Sequence, residues 1–169
     1  MLQAAPGWRL AVAVAVASLA FGARPAAADD PPFTIGSQPS WLLLGGVTTG
    51  GTVALGDRGA FVGGELSLAR LRESSFAGIY ADGYYDWGAH GTYATAGLEL
   101  GHRYVGVDGG VALRFDNMTT DVGATARITV GLGVVGVYAR YAHFWDAMTN
   151  EDVLQVGLVI KLPLWTRGP

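Results

Sequence analysis

Residues 103–115 read RYVGVDGGVALRF, and their alternation decides the fold. Val105, Val107, Gly109, Val111, Leu113 and Phe115 are apolar or bare, while Tyr104, Gly106, Asp108, Gly110, Ala112 and Arg114 between them are small or polar. A period of two over that length predicts a β-strand with one face for an apolar medium and one for polar partners. A soluble barrel and a membrane barrel can both meet that demand, so the rest of the chain has to choose.

Working outward, the same pattern recurs seven more times. Strands are predicted at Trp41–Thr49, Ala60–Leu71, Ser75–Asp86, Gly91–Gly101, Arg103–Phe115, Asp121–Leu132, Val134–Trp145 and Asp152–Leu162. Ten or eleven residues tilted at about 45° cross a hydrocarbon layer of roughly 25 Å. The connections after the second, fourth and sixth strands are tight, around Arg72–Ser74, His102 and Gly131–Gly133. The others are longer: Gly50–Gly59, Trp87–His90, Asp116–Thr120 and Ala147–Glu151. Tight turns at one end and longer loops at the other are the habit of a meander threaded through an outer membrane.

The N-terminus points to the same compartment. Arg9, the apolar run from Leu10 to Phe21 and the closing Ala26, Ala27 and Ala28 make a secretory signal peptide over residues 1–28. Residues 29–40, with Pro31, Pro32 and Pro39, are expected to be an extended leader, and residues 41–165 the barrel domain. Removing Arg9 and Arg24 from the 11 basic residues leaves 9 against 14 acids, a net of −5, which disfavours a nucleic-acid partner. There is no cysteine, hence no disulfide. The 26 glycines beside only 15% charged residues are too apolar for disorder and too glycine-rich for a helical domain.

The polar face carries glycine, serine, threonine and isolated charges rather than the long lysines and glutamates of a wetted surface. Eight strands enclose only enough room for side chains, so the small-residue face is assigned to the lumen and the aliphatic face to lipid. Glu65, Asp82, Glu99 and Asp108 then stand against Arg114, Arg127, Arg140 and Lys161, four and four. Enclosed charges are costly unless paired. Hairpin geometry sets Asp108 level with Arg127 and Glu65 beside Asp82, and opposite strands should bring Glu65 and Asp82 to Arg127 and Arg140. The expectation is a salt-bridged plug.

With these features the chain resembles the small eight-stranded outer-membrane barrels, of the outer-membrane protein A transmembrane-domain and OmpX type. The resemblance spans Trp41–Trp165 and is architectural. It implies an all-β, eight-stranded antiparallel up-and-down transmembrane β-barrel in the bacterial outer membrane, a monomer contacting membrane lipid and lipopolysaccharide and inserted by the barrel-assembly machinery. Such barrels commonly end on an aromatic read by that machinery. Here Trp165 lies one residue out of phase with Leu158, Ile160 and Leu162.

Tyr84, Tyr85, Trp87, Tyr93, Phe115, Phe144 and Trp145 gather at the long-loop end as an expected interfacial girdle. The loop acids Asp116, Asp121, Asp146, Glu151 and Asp152 are candidates for holding divalent cations. Some barrels of this kind are lipid A deacylases with a serine two residues after a histidine. His143 has Trp145 there instead, so no catalytic residue, cofactor or enzymatic activity is expected. The expected role is structural or exerted through the surface loops: envelope integrity, adhesion or lipid contact. A narrow porin-like conduit for small solutes is the alternative, and a soluble secreted lipocalin-like ligand-binding barrel a more distant one.

Overall fold

The structure, a computed structural model, describes residues 40–54, 57–72, 74–116, 119–132, 134–145 and 150–167. The expected signal peptide and the leader up to residue 39 lie outside the described residues, as does Asp146. Eight strands follow in order: β1 Ser40–Ala54, β2 Asp57–Arg72, β3 Ser75–Asp86, β4 Gly91–His102, β5 Val105–Phe115, β6 Thr120–Leu132, β7 Val135–Trp145 and β8 Asn150–Arg167. Each pairs antiparallel with its neighbours in sequence, and β1 pairs with β8 to close the barrel. Closure leaves no unpaired edge, so the backbone hydrogen bonds of the wall are satisfied internally.

The boundaries differ from the sequence reading by a residue or two at several strand ends, and more substantially in three places. β1 and β2 continue through the expected loop Gly50–Gly59, pairing Gly51 with Ala60 and Thr52 with Gly59. Glycine is a weak strand former but does not stop a ladder when the partner strand is in register, so this hairpin continues past the end of β3. The opening stretch also starts later than expected. Arg103 takes a left-handed conformation (φ 50°) and, with Tyr104, makes the β4–β5 turn, so the strand begins at Val105. The Arg103 amide donates to the Ser74 carbonyl at 2.6 Å, and the Gly131 amide to the Tyr104 carbonyl at 2.8 Å, tying three turns together at that end.

Trp165 is the third case. The β1–β8 register shifts between Leu43 and Leu44, which pair with Trp165 and Pro163 and leave Leu164 as an extra residue. This bulge resets the alternation. Trp165 thus returns to the outer face, where it is exposed beside Leu43.

The wall is inverted relative to a water-soluble barrel. Leu66, Ile79, Leu98, Val107, Ile128, Val137, Val156 and Ile160 are exposed on the outside, whereas Glu65, Asp82, Glu99, Arg127 and Arg140 are buried inside.

Candidate functional site

Period two on each strand aims one set of side chains inward, and the register decides which of them meet. Arg127 on β6 is the centre. Its guanidinium donates from Nη1 to Glu65 Oε2 at 2.5 Å and from Nη2 to Glu65 Oε1 at 3.0 Å, across the lumen. Its Nε donates to Asp108 Oδ2, its cross-strand neighbour on β5, at 2.6 Å. Arg140 on β7 donates to Asp82 Oδ2, while the other Asp82 oxygen accepts from Thr95 at 2.7 Å. Lys161 on β8 joins Glu65, donates to Glu99 Oε2 at 3.1 Å and reaches Ser67 Oγ at 3.0 Å.

These seven charges form one connected layer. The Arg127 and Arg140 side chains are 1% and 2% exposed, so water does not compete for them. The Tyr80 and Tyr138 rings flank Arg127 at 5.2 and 5.3 Å, and Tyr84 and Tyr138 flank Arg140 at 5.2 and 5.6 Å. Ring faces carry negative potential, so they stabilise the two guanidiniums on the sides their carboxylates leave open.

The eighth expected member is elsewhere. Arg114 lies six residues along β5 from Asp108, about 20 Å at the rise of a strand. It is bound at the outer rim by Asp121, with Nε at 2.8 Å from Oδ2, and by Glu151. Two of the proposed cation ligands, Asp121 and Glu151, therefore already serve an arginine. Among the described residues no group of three or more His, Asp or Glu side chains is arranged to hold a metal ion.

The expected girdle also divides. Trp87, Phe115 and Trp145 are exposed on the outer face, and Tyr85 meets Trp87 edge-on at 5.6 Å. Tyr84, Tyr93 and Phe144 instead lie in the lumen, because each shares the parity of an inward-facing neighbour on its strand. Tyr84 and Tyr93 stack with centroids 4.9 Å apart, Phe61 packs on Tyr84 at 5.6 Å, and Phe144 packs on Tyr93 at 5.8 Å. They fill the outer half of the lumen above the charged layer. Aromatic height on a strand does not reveal the face; parity does.

Below the charged layer, at the tight-turn end, the lumen opens into a cavity of about 520 Å³. Its wall is largely apolar, with Leu42, Leu44, Ala69, Leu71 and Phe76, and its ceiling is made by Glu99, Asp108, Arg127 and Lys161. The sequence reading missed this cavity, since volume depends on how the small residues of several strands coincide. It also missed a polar cluster on the outer face. The β7–β8 register sets His143 opposite Asp152. Asp152 Oδ1 lies 2.8 Å from His143 Nδ1 and accepts from the Tyr141 hydroxyl at 2.6 Å. Trp145 stands edge-on to the imidazole at 5.5 Å, in the position where a nucleophilic serine would be needed.

No protein-family model and no curated protein matches this chain. Among solved structures it is similar to the Yersinia pestis outer membrane protein Ail in a phospholipid bilayer nanodisc. That match has 11% identity and a TM-score of 0.44, over 70% of this chain and 99% of the other. It is also similar to a crystal structure of Ail, the attachment invasion locus protein of Yersinia pestis, in complex with the heparin analogue sucrose octasulfate. There the identity is 12% and the TM-score 0.39, over 74% of this chain and 99% of the other.

Proposed function

We propose that the chain spans the bacterial outer membrane as a closed, plugged β-barrel and acts as a structural envelope protein whose surface loops meet the exterior. The observation that carries this reading is the inversion of the wall: a continuous belt of exposed aliphatic side chains outside, and a buried, hydrogen-bonded ion network inside. Exposed apolar area on that scale is unfavourable in water and favourable in hydrocarbon. Trp87, Phe115 and Trp145 at one end and Trp41, Tyr104 and Trp165 at the other are exposed at the levels where a bilayer has its interfaces.

Outer-membrane lipid and lipopolysaccharide are the partners this surface fits, with the barrel-assembly machinery acting during insertion. The stacked rings and the seven-charge layer weigh against a conduit, because they occupy the lumen in two successive tiers. Membrane fractionation of the full chain expressed in a Gram-negative host tests the proposal. The expected result is recovery in the outer membrane, extraction only with detergent, and a gel mobility that changes on boiling. Recovery as a soluble periplasmic or secreted protein would overturn it.

A further inference from the structure

Counted with every carboxylate ionised, the central ion network does not balance. With Arg114 held at the rim, Glu65, Asp82, Glu99 and Asp108 face only Arg127, Arg140 and Lys161, which leaves one negative charge in excess among the described residues. Glu99 and Asp108 are direct cross-strand partners between β4 and β5. Like charges set opposite one another are destabilising. Each uses one carboxylate oxygen, Glu99 Oε2 toward Lys161 and Ser67 and Asp108 Oδ2 toward Arg127. The second oxygens, Glu99 Oε1 and Asp108 Oδ1, are buried and have no hydrogen-bond partner among the described residues.

These two acids also border the cavity. Of the described residues with buried, unpartnered polar side-chain atoms, only Glu99 and Asp108 contribute to its lining. The space below them is closed toward the exterior by the plug and bordered by Leu42, Leu44, Ala69, Leu71, Phe76 and Val159. A volume of about 520 Å³ lies within the range of about 300–1,000 Å³ seen for small-molecule sites, in which apolar walls converge on a few polar groups.

We propose that this cavity is a binding site for a single-chain amphiphile with a cationic amine head. The ammonium sits beneath Glu99 and Asp108, supplies the missing positive charge and donates to their open oxygens. The hydrocarbon tail lies along the apolar wall toward the tight-turn end. Beneath Glu99 and Asp108 an anionic head would meet two like charges, and a hydroxyl head would donate one hydrogen bond without neutralising either. The site thus discriminates by head-group charge while the tail supplies area.

Native mass spectrometry of the full chain in octyl glucoside, titrated separately with dodecylamine, dodecanol and dodecanoate, tests this. The expected result is one saturable dodecylamine adduct per barrel, with affinity about tenfold or more above the other two, the scale of a charge-assisted hydrogen bond. The Glu99→Gln/Asp108→Asn double variant should lose that preference, and Leu44→Trp, which fills the cavity, should lose the adduct. Equal binding of the three probes, binding of none, or a dodecylamine adduct unchanged in a folded double variant would overturn the proposal. The comparison of probes on the unsubstituted chain needs no variant to fold.

Discussion

Arg127 and Glu65 stand on opposite sides of the barrel and meet in the lumen through two parallel hydrogen bonds of 2.5 and 3.0 Å. The fork geometry is the strong form of an arginine–carboxylate pair. Both side chains are 1% exposed or less, so removing one partner leaves a charge that water cannot solvate. Arg127→Ala is expected to cost about 3–5 kcal/mol, the range for breaking a buried pair. The double replacement Glu65→Gln/Arg127→Met should cost markedly less than the single one. Urea unfolding in detergent, followed by tryptophan fluorescence, measures both.

Arg114 gives the contrasting case. Its partners Asp121 and Glu151 lie at the rim, with side chains 7% and 23% exposed. Arg114 is 17% exposed and Asp121 is buried, so Arg114→Ala should cost about 1–3 kcal/mol, less than loss of the fully enclosed pair. The loss should shrink as salt is raised, since ions screen accessible charges. The same salt series should leave the Arg127→Ala loss unchanged.

Gly97 and Gly110 are cross-strand partners facing into the lumen. A Cβ at Gly97 would run into the Gly109 carbonyl, and one at Gly110 into that of Ala96, both rigid backbone. Gly97→Ala is therefore expected to destabilise by about 1–3 kcal/mol through overpacking. At Gly83 a Cβ would have ordinary contact, 3.7 Å from the Tyr93 carbonyl. Gly83→Ala should change stability by no more than about 0.5 kcal/mol. Thermal unfolding of the two variants side by side checks the difference.

The aromatic tier and the charged tier close the lumen independently. Tyr93→Ala removes the ring that joins Tyr84 to Phe144 and should cost about 3 kcal/mol, as for other large buried rings. Because the Arg127 layer remains beneath, planar-bilayer recordings of this variant should show no steady conductance, like the unsubstituted barrel. An open channel in either would contradict the plugged lumen.

Strand number, the assignment of faces, and the meeting of Glu65 with Arg127 and Asp82 with Arg140 were legible in the sequence, because period-two alternation and tight turns together fix register. Parity alone groups Arg114 with the lumen charges. Parity gives the face but not the height, and its six residues from Asp108 carry it to the rim. Tyr84, Tyr93 and Phe144 are the opposite case: sequence position gives their height, while the outward Tyr85 and Trp145 beside two of them mask their face. The cavity and the Tyr141–Asp152–His143 cluster depend on coincidence among strands and on the exact β7–β8 register, which no single segment encodes.

The central claim is that odd and even residues of one strand face different media, and β8 tests it most directly. With no native cysteine, single cysteines at positions 154–161 can each carry a nitroxide label in reconstituted bilayers. Leu154, Val156, Leu158 and Ile160 should collide freely with oxygen dissolved in lipid and little with a water-soluble nickel complex. Gln155 and Gly157, level with the plug, should show low collision with both, and Val159 and Lys161, which border the cavity, should show low collision with oxygen in lipid, giving a period of two. Uniform accessibility along the strand, or collision of the water-soluble complex at the aliphatic positions, would contradict the account.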